Sequence, residues 1–160
     1  MKTILAFTAL LLPFFCSANT VLEYVYYDVE GKAGHQKVTM DGNSIHSENL
    51  QKWNNRVIDL KEKITLNDAG NIAQLHVSGI SAFGAPVDEH YQLKNNVSTW
   101  RSTNETGETK NTGAAFYLPM QSAGGFNYLL MQKLFNSKHK TINLLPSGKV
   151  SIREVANTTL

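Results

Sequence analysis

Residues 57–80 read VIDLKEKITLNDAGNIAQLHVSGI, and this stretch decides the fold. In its first half Ile58, Leu60, Ile64 and Leu66 share one parity, so one face of an extended chain is apolar. Asp68-Ala69-Gly70-Asn71 is turn chemistry, and residues 72–80 return as a second β-prone run. Two strands joined by a tight turn predict an antiparallel hairpin, and the same pattern continues on both sides. Upstream, residues 44–52 form a strand broken at Asn54-Asn55. Asp41-Gly42 is a tight-hairpin dipeptide, because both central positions of that turn favour φ > 0. Residues 35–40 precede it, residues 30–34 turn the chain, and residues 21–30 form the first strand. Downstream, residues 83–86 make a corner, residues 87–94 a strand, Asn95-Asn96 a break and residues 97–101 another strand.

Residues 102–113 contain Ser, Thr, Asn, Gly and charges with no apolar side chain, so the expectation is a long exposed loop. A short apolar piece, residues 114–120, follows. Helical spacing occurs once, where Phe126, Leu129, Leu130, Leu134 and Phe135 predict an amphipathic helix over residues 124–136. A last hairpin pairs residues 140–145 with 149–155 around Pro146-Ser147-Gly148. The expected fold is α+β: a mainly antiparallel, curved meander of eight or nine strands, with one amphipathic helix near the C-terminus.

Composition sets outer limits. The chain has 160 residues, 15 Lys+Arg against 13 Asp+Glu, a net charge of +2 and 42% hydrophobic residues, which predicts one soluble globular domain. With no basic run, neither a nucleic-acid partner nor an anionic membrane surface has electrostatic support. Lys2, the apolar run 4–15 and Cys16-Ser17-Ala18 have the three parts of a secretory signal. That run is about a dozen residues, against the roughly 20 needed to span a bilayer, so no membrane anchor is expected after cleavage. Lipidation at Cys16 is disfavoured by Phe15, which stands where such signals place a small residue. The expectation is cleavage after Ala18, leaving a cysteine-free accessory domain of residues 19–160, exported to the periplasm or secreted.

The chemistry is sparse. His35, His46, His76, His90 and His139 show no metal-motif spacing, and no nucleophile elbow, P-loop or dinucleotide fingerprint is present. No cofactor and no metal are therefore expected in this chain. Gly124-Gly125 before the helix could offer backbone N–H groups to an anion, but two glycines alone are a weak signal and helix entry explains them. Asn96, Asn104 and Asn157 begin glycosylation tripeptides, which matter only in a eukaryotic secretory route. Glu62 and Glu89 stand in the apolar register of their strands, where an unpaired charge costs several kcal/mol or shifts its pKa. They read either as a general acid/base pair or, in the favoured reading, as buried structural carboxylates paired with Arg56 or Arg101.

Three segments carry a resemblance: residues 60–70 with Leu60, Glu62, Leu66, Asp68 and Gly70; residues 84–91 with Pro86, Glu89 and Tyr91; and Trp100-Arg101 leading to Glu105 and Gly107-Glu108. With residues 115–119 (AFYLP) and 144–155 (LLPSGKVSIREV), they resemble the N-terminal, non-catalytic region of exported bacterial amidohydrolase-family proteins, imidazolonepropionase-related metal-dependent hydrolases of non-peptide C–N bonds. The resemblance covers about residues 24–155. It departs at Lys63 and His90, where arginine is expected after each strand glutamate. Such hydrolases are expected to hold a metal through histidines, including His-x-His, at the mouth of a (β/α)₈ barrel of about 250 residues. This chain has neither the length nor that motif, so no catalytic residue transfers to it. The resemblance implies an accessory domain, or truncated fragment, whose partner is a C-terminal catalytic barrel in cis or as a separate chain. The alternatives are a periplasmic carrier holding an apolar ligand between sheet and helix, and a small enzyme built on Glu62 and Glu89.

Overall fold

In the computed structural model, which describes residues 19–111, 115–153 and 155, the chain runs as one meander up to Lys110. Strands β1 (Thr20–Asp28), β2 (Gly31–Asp41), β3 (Ser44–Trp53), β4 (Arg56–Leu66), β5 (Ile72–Ile80), β6 (Pro86–Lys94), β7 (Val97–Arg101) and β8 (Thr106–Lys110) pair antiparallel in chain order. Then come β9 (Ala115–Tyr117), α1 (Gly125–Asn136), β10 (Thr141–Leu145) and β11 (Lys149–Ser151), which add a three-stranded sheet in the order β11-β10-β9. The expected α+β architecture is present, with eleven strands among the described residues rather than eight or nine. No helix among them is long and apolar enough to cross a membrane. The proposed signal segment and the Asn157 tripeptide lie outside the described residues.

The turns follow from local chemistry. Asn54 and Asn55 have φ of 48° and 60°, and Asn95 and Asn96 have 52° and 60°. Two consecutive left-handed residues make the turn whose twist matches that of antiparallel strands, and Asn tolerates this conformation better than other non-glycine residues. Two predicted turns shift. Asp41 pairs with Ser44, so Gly42-Asn43 rather than Asp41-Gly42 is the central pair. Asp28 pairs with Gly31, so β2 begins four residues before the expected His35.

The largest correction concerns residues 102–113, expected to be a loop. Ser102 N–H closes onto the Glu105 carbonyl at 2.7 Å, and β8 then pairs along β7. Residues 112 and 113 are outside the described set. Gly107 lies opposite Trp100, and a Cβ there would come within 2.4 Å of the indole. The apolar cover of this edge strand is thus supplied by its neighbour, which is why β8 carries no hydrophobic pattern of its own.

On the covered face Met40, Ile45, Ile64, Leu75, Tyr91 and Trp100 form one cross-strand row. Helix α1 sits over this face with Phe126, Leu129 and Leu134 buried. Each such apolar side chain contributes about 1.5–3 kcal/mol on burial. Phe135, expected on the same helical face, is instead 60% exposed. Nine residues at about 100° each carry it to the side opposite Phe126.

Candidate functional site

The face away from the helix carries the other parity of each strand. His46, Lys63, His76, His90 and Arg101 lie directly opposite one another on β3 to β7, forming a continuous row of basic and imidazole side chains. They line a cleft of about 860 Å³ together with Thr65, Gln74, Gln92, Thr99 and Glu108. In the middle of the row the His76 and His90 rings stack, with centroids 4.2 Å apart and planes 13° from parallel. Asp88, two residues before His90 and so on the same face, places Oδ1 3.1 Å from His76 Nε2 and 2.9 Å from His90 Nε2. Arg101 donates to the other oxygen, Oδ2, at 3.2 Å. The hydrogen bond from His76, helped by His90 and Arg101, holds the Asp88 carboxyl below its ordinary pKa.

The five histidines have no metal spacing in the sequence, yet the sheet brings two of them and a carboxylate together. The signal that finds them is hairpin symmetry: His76 and His90 stand seven residues either side of Phe83, and residues equidistant from an antiparallel turn face each other. His35, His46 and His139 take no part in this cluster.

Glu62 and Glu89 lie on the covered face, 1% and 2% exposed. Neither is paired with a guanidinium. Arg101 is engaged by Asp88, and Arg56 stacks over Phe83, its guanidinium carbon 5.1 Å from the ring centroid. Both arginines belong to the opposite parity or the sheet margin, so they cannot reach inward. Instead, Glu62 Oε2 accepts the Gly125 and Phe126 backbone N–H groups at 2.8 and 3.2 Å, and Ser122 Oγ donates to Oε1 at 3.3 Å. The anion at the start of α1 is thus the protein's own carboxylate, supplied from β4. The helix needs it, because Gly124 in the N-cap position provides no side-chain cap and the first turn contains no acid. Burial raises the Glu62 pKa, opposed by the Phe126 and Gly125 N–H groups and the Ser122 hydroxyl.

Glu89 accepts the Tyr117 hydroxyl at 2.5 Å and the Met120 N–H at 3.1 and 3.0 Å. Burial, reinforced by the hydrogen bond to Glu89 and its charge, pushes the Tyr117 phenol far above its ordinary range. The two glutamates face the same side with Val77 between them in register, which places their strands roughly 9–10 Å apart. Each accepts hydrogen bonds from the stretch that runs from Tyr117, at the end of β9, to Phe126. That geometry clamps a crossing segment onto the sheet.

Compared with protein-family models, curated proteins and solved structures, the chain matches none.

Trp100, Glu105, Gly107 and Tyr91, which the sequence also singles out, occupy the same framework. Trp100 Nε1 donates to Glu105 Oε1 at 2.5 Å, and its ring covers Gly107 and lies against Tyr117. Tyr91 stacks on Tyr117, with centroids 5.0 Å apart, and shares a buried network with Ser98 and Asn111. The space between sheet and helix, where a carrier would hold an apolar ligand, is filled by Ile64, Leu75, Phe126, Leu129 and Leu134, all at most 3% exposed. The roomy cleft is on the other face, where it carries the His46, Lys63, His76, His90 and Arg101 row.

Proposed function

We propose that the chain is a non-catalytic accessory domain that packs against the catalytic barrel of an exported metal-dependent amidohydrolase, either in cis or as a separate chain. The observation that carries this reading is the use of Glu62 and Glu89. The carboxylates that stand out in the segments resembling such hydrolases are buried, and they hold residues 117–126 onto the sheet. Carboxylates used in this way hold a shape, and that role fits a module that supports another domain. The surface supports the same reading. Strand β1, at the edge of the eight-stranded sheet among the described residues, exposes Tyr24 and Tyr27. Large aromatic side chains on a strand edge that pairs with no other strand among the described residues offer apolar contact and main-chain hydrogen bonds to a neighbouring domain.

The test is to read the coding sequence beyond the Leu160 codon and its neighbouring genes. The expected result is a barrel containing His-x-His, continuous with this chain or encoded beside it. Joined to this chain, that barrel should turn over a cyclic or linear amide, and the chain alone should not. Unrelated surroundings with no such barrel would overturn the proposal.

A further inference from the structure

We propose that His76, Asp88 and His90 form a binding site for a divalent transition-metal ion of the zinc, copper or nickel class on the open face of the sheet. The site is independent of the accessory role and of any metal in a barrel. Its donors are fixed by the most rigid relation a sheet provides. His76 and His90 are direct cross-strand partners on two central strands, and Asp88 is the same-face neighbour two residues before His90. The three donor atoms lie within 4.8 Å of one another. Ring stacking sends both Nε2 atoms to the same carboxylate oxygen at 3.1 and 2.9 Å. Tetrahedral ligands about 2.1 Å from an ion are roughly 3.4 Å apart, so these two edges need to open by only a few tenths of an ångström.

Arg101, bound to Oδ2, holds the carboxylate plane and leaves Oδ1 for the ion, the part that hydrogen-bonded outer partners play around metal ligands. The donor set also selects the ion. Two imidazoles and a single carboxylate, flanked by the cations Lys63 and Arg101, disfavour Mg²⁺ and Ca²⁺, which depend on several oxygen ligands. They suit ions that bind imidazole strongly. The side chains of all three ligands are 41–56% exposed and the two histidines line the cleft, so the remaining coordination positions are open to water or a small anionic ligand.

Tag-free protein dialysed against Zn²⁺, then analysed for bound metal and titrated calorimetrically, tests the site. The expected result is one ion per chain, unaffected by millimolar Mg²⁺ or Ca²⁺, with imidazole ¹⁵N resonances of two histidines shifted. His76→Ala, His90→Ala and Asp88→Asn should each weaken binding by at least about tenfold, the lower range seen even for outer-shell partners. His46→Ala, in the same cross-strand row beyond Lys63, should leave binding unchanged. Circular dichroism of these surface variants should match the parent protein. Absence of stoichiometric zinc, or equal uptake by the three ligand variants, would overturn the proposal.

Discussion

Replacing Glu62 tests whether a strand carboxylate is the cap of α1. In Glu62→Ala the Gly125 and Phe126 N–H groups, both on buried residues, lose their acceptor. A buried donor left unsatisfied costs about 1–3 kcal/mol, so the pair amounts to about 2–6 kcal/mol. Removing the anion from the positive end of the helix adds about 0.3–1 kcal/mol. Against this, the variant no longer desolvates a carboxylate, which returns several kcal/mol of the burial cost. The net expectation is a loss of about 2–4 kcal/mol. Glu62→Gln keeps one acceptor oxygen and should cost about 1–2 kcal/mol, because its NH₂ must face the remaining donors.

The pH dependence has a defined sign. Burial raises the folded-state pKa of Glu62 above the ordinary 4.5, so between the two values the folded chain holds more protons than the unfolded one. Stability from this group is therefore fully present below pH 4.5 and declines as pH rises through the folded pKa. Gln does not titrate, so the advantage of wild type over Glu62→Gln should shrink as pH rises through that window. Urea denaturation at a series of pH values, followed by fluorescence of the buried Trp100, measures the difference. Two results would refute the reasoning: an Ala variant within about 0.5 kcal/mol of wild type, the range of ordinary surface substitutions, or a wild-type advantage that grows as pH rises.

Three further outcomes follow from the same contacts. Gly125→Ala should destabilise by about 1–3 kcal/mol through overpacking, since its Cβ would lie 2.2 Å from Ser47 Oγ and 3.0 Å from Glu62 Oε2. Helix propensity alone predicts the opposite sign, a gain of about 1 kcal/mol, so the urea midpoint separates the two. Tyr117→Phe removes a hydrogen bond to a buried carboxylate and should cost about 1.5–3 kcal/mol; an unchanged melting temperature would mean that another donor replaces the hydroxyl. Asn55→Ala puts a Cβ residue without local hydrogen bonding at φ 60° and should cost about 1 kcal/mol, while Asn55→Gly should be neutral or stabilising. Equal thermal melts for the Ala and Gly variants would show that the turn is not held in this conformation.

How much of this is legible in the sequence depends on whether the determining contact is local. The Asn-Asn turns and the parity of Leu60, Glu62 and Ile64 are local facts, and they yield the meander and the inward position of a charge. The partners of that charge are not local: the donors are main-chain N–H groups more than sixty residues away. Main-chain groups leave no side-chain signature beyond the small residues that let them approach. Gly124-Gly125 is that signature, since a Cβ at either position would collide with Gln36 or Ser47. An arginine was the natural expectation because guanidinium partners are visible in sequence, whereas helix ends are not. Strand β8 is hidden for a related reason, its apolar cover belonging to Trp100, and β9 is hidden because it pairs parallel with β10 across the whole helix.

The histidine cluster extends the point to chemistry. Metal-ligand spacings of two to five residues describe helices, turns and single strands, where one element presents two donors. In a meander the nearest neighbour of a side chain is its mirror image across a turn, so the relevant spacing is set by hairpin length. Thirteen residues lie between His76 and His90 only because β5 and β6 are long and the Phe83 corner is where it is. Lengthening that turn by one residue would slide the pairing, separate the rings and turn alternate side chains to the other face. Register is thus the quantity that joins fold to candidate function here. The pairing that buries Glu89 beside Val77 also sets His90 against His76, because adjacent residues of one strand face opposite sides. A substitution that shifts the β5–β6 register should therefore uncap the core and dismantle the surface cluster together, while substitutions at His76 or His90 should affect the surface alone.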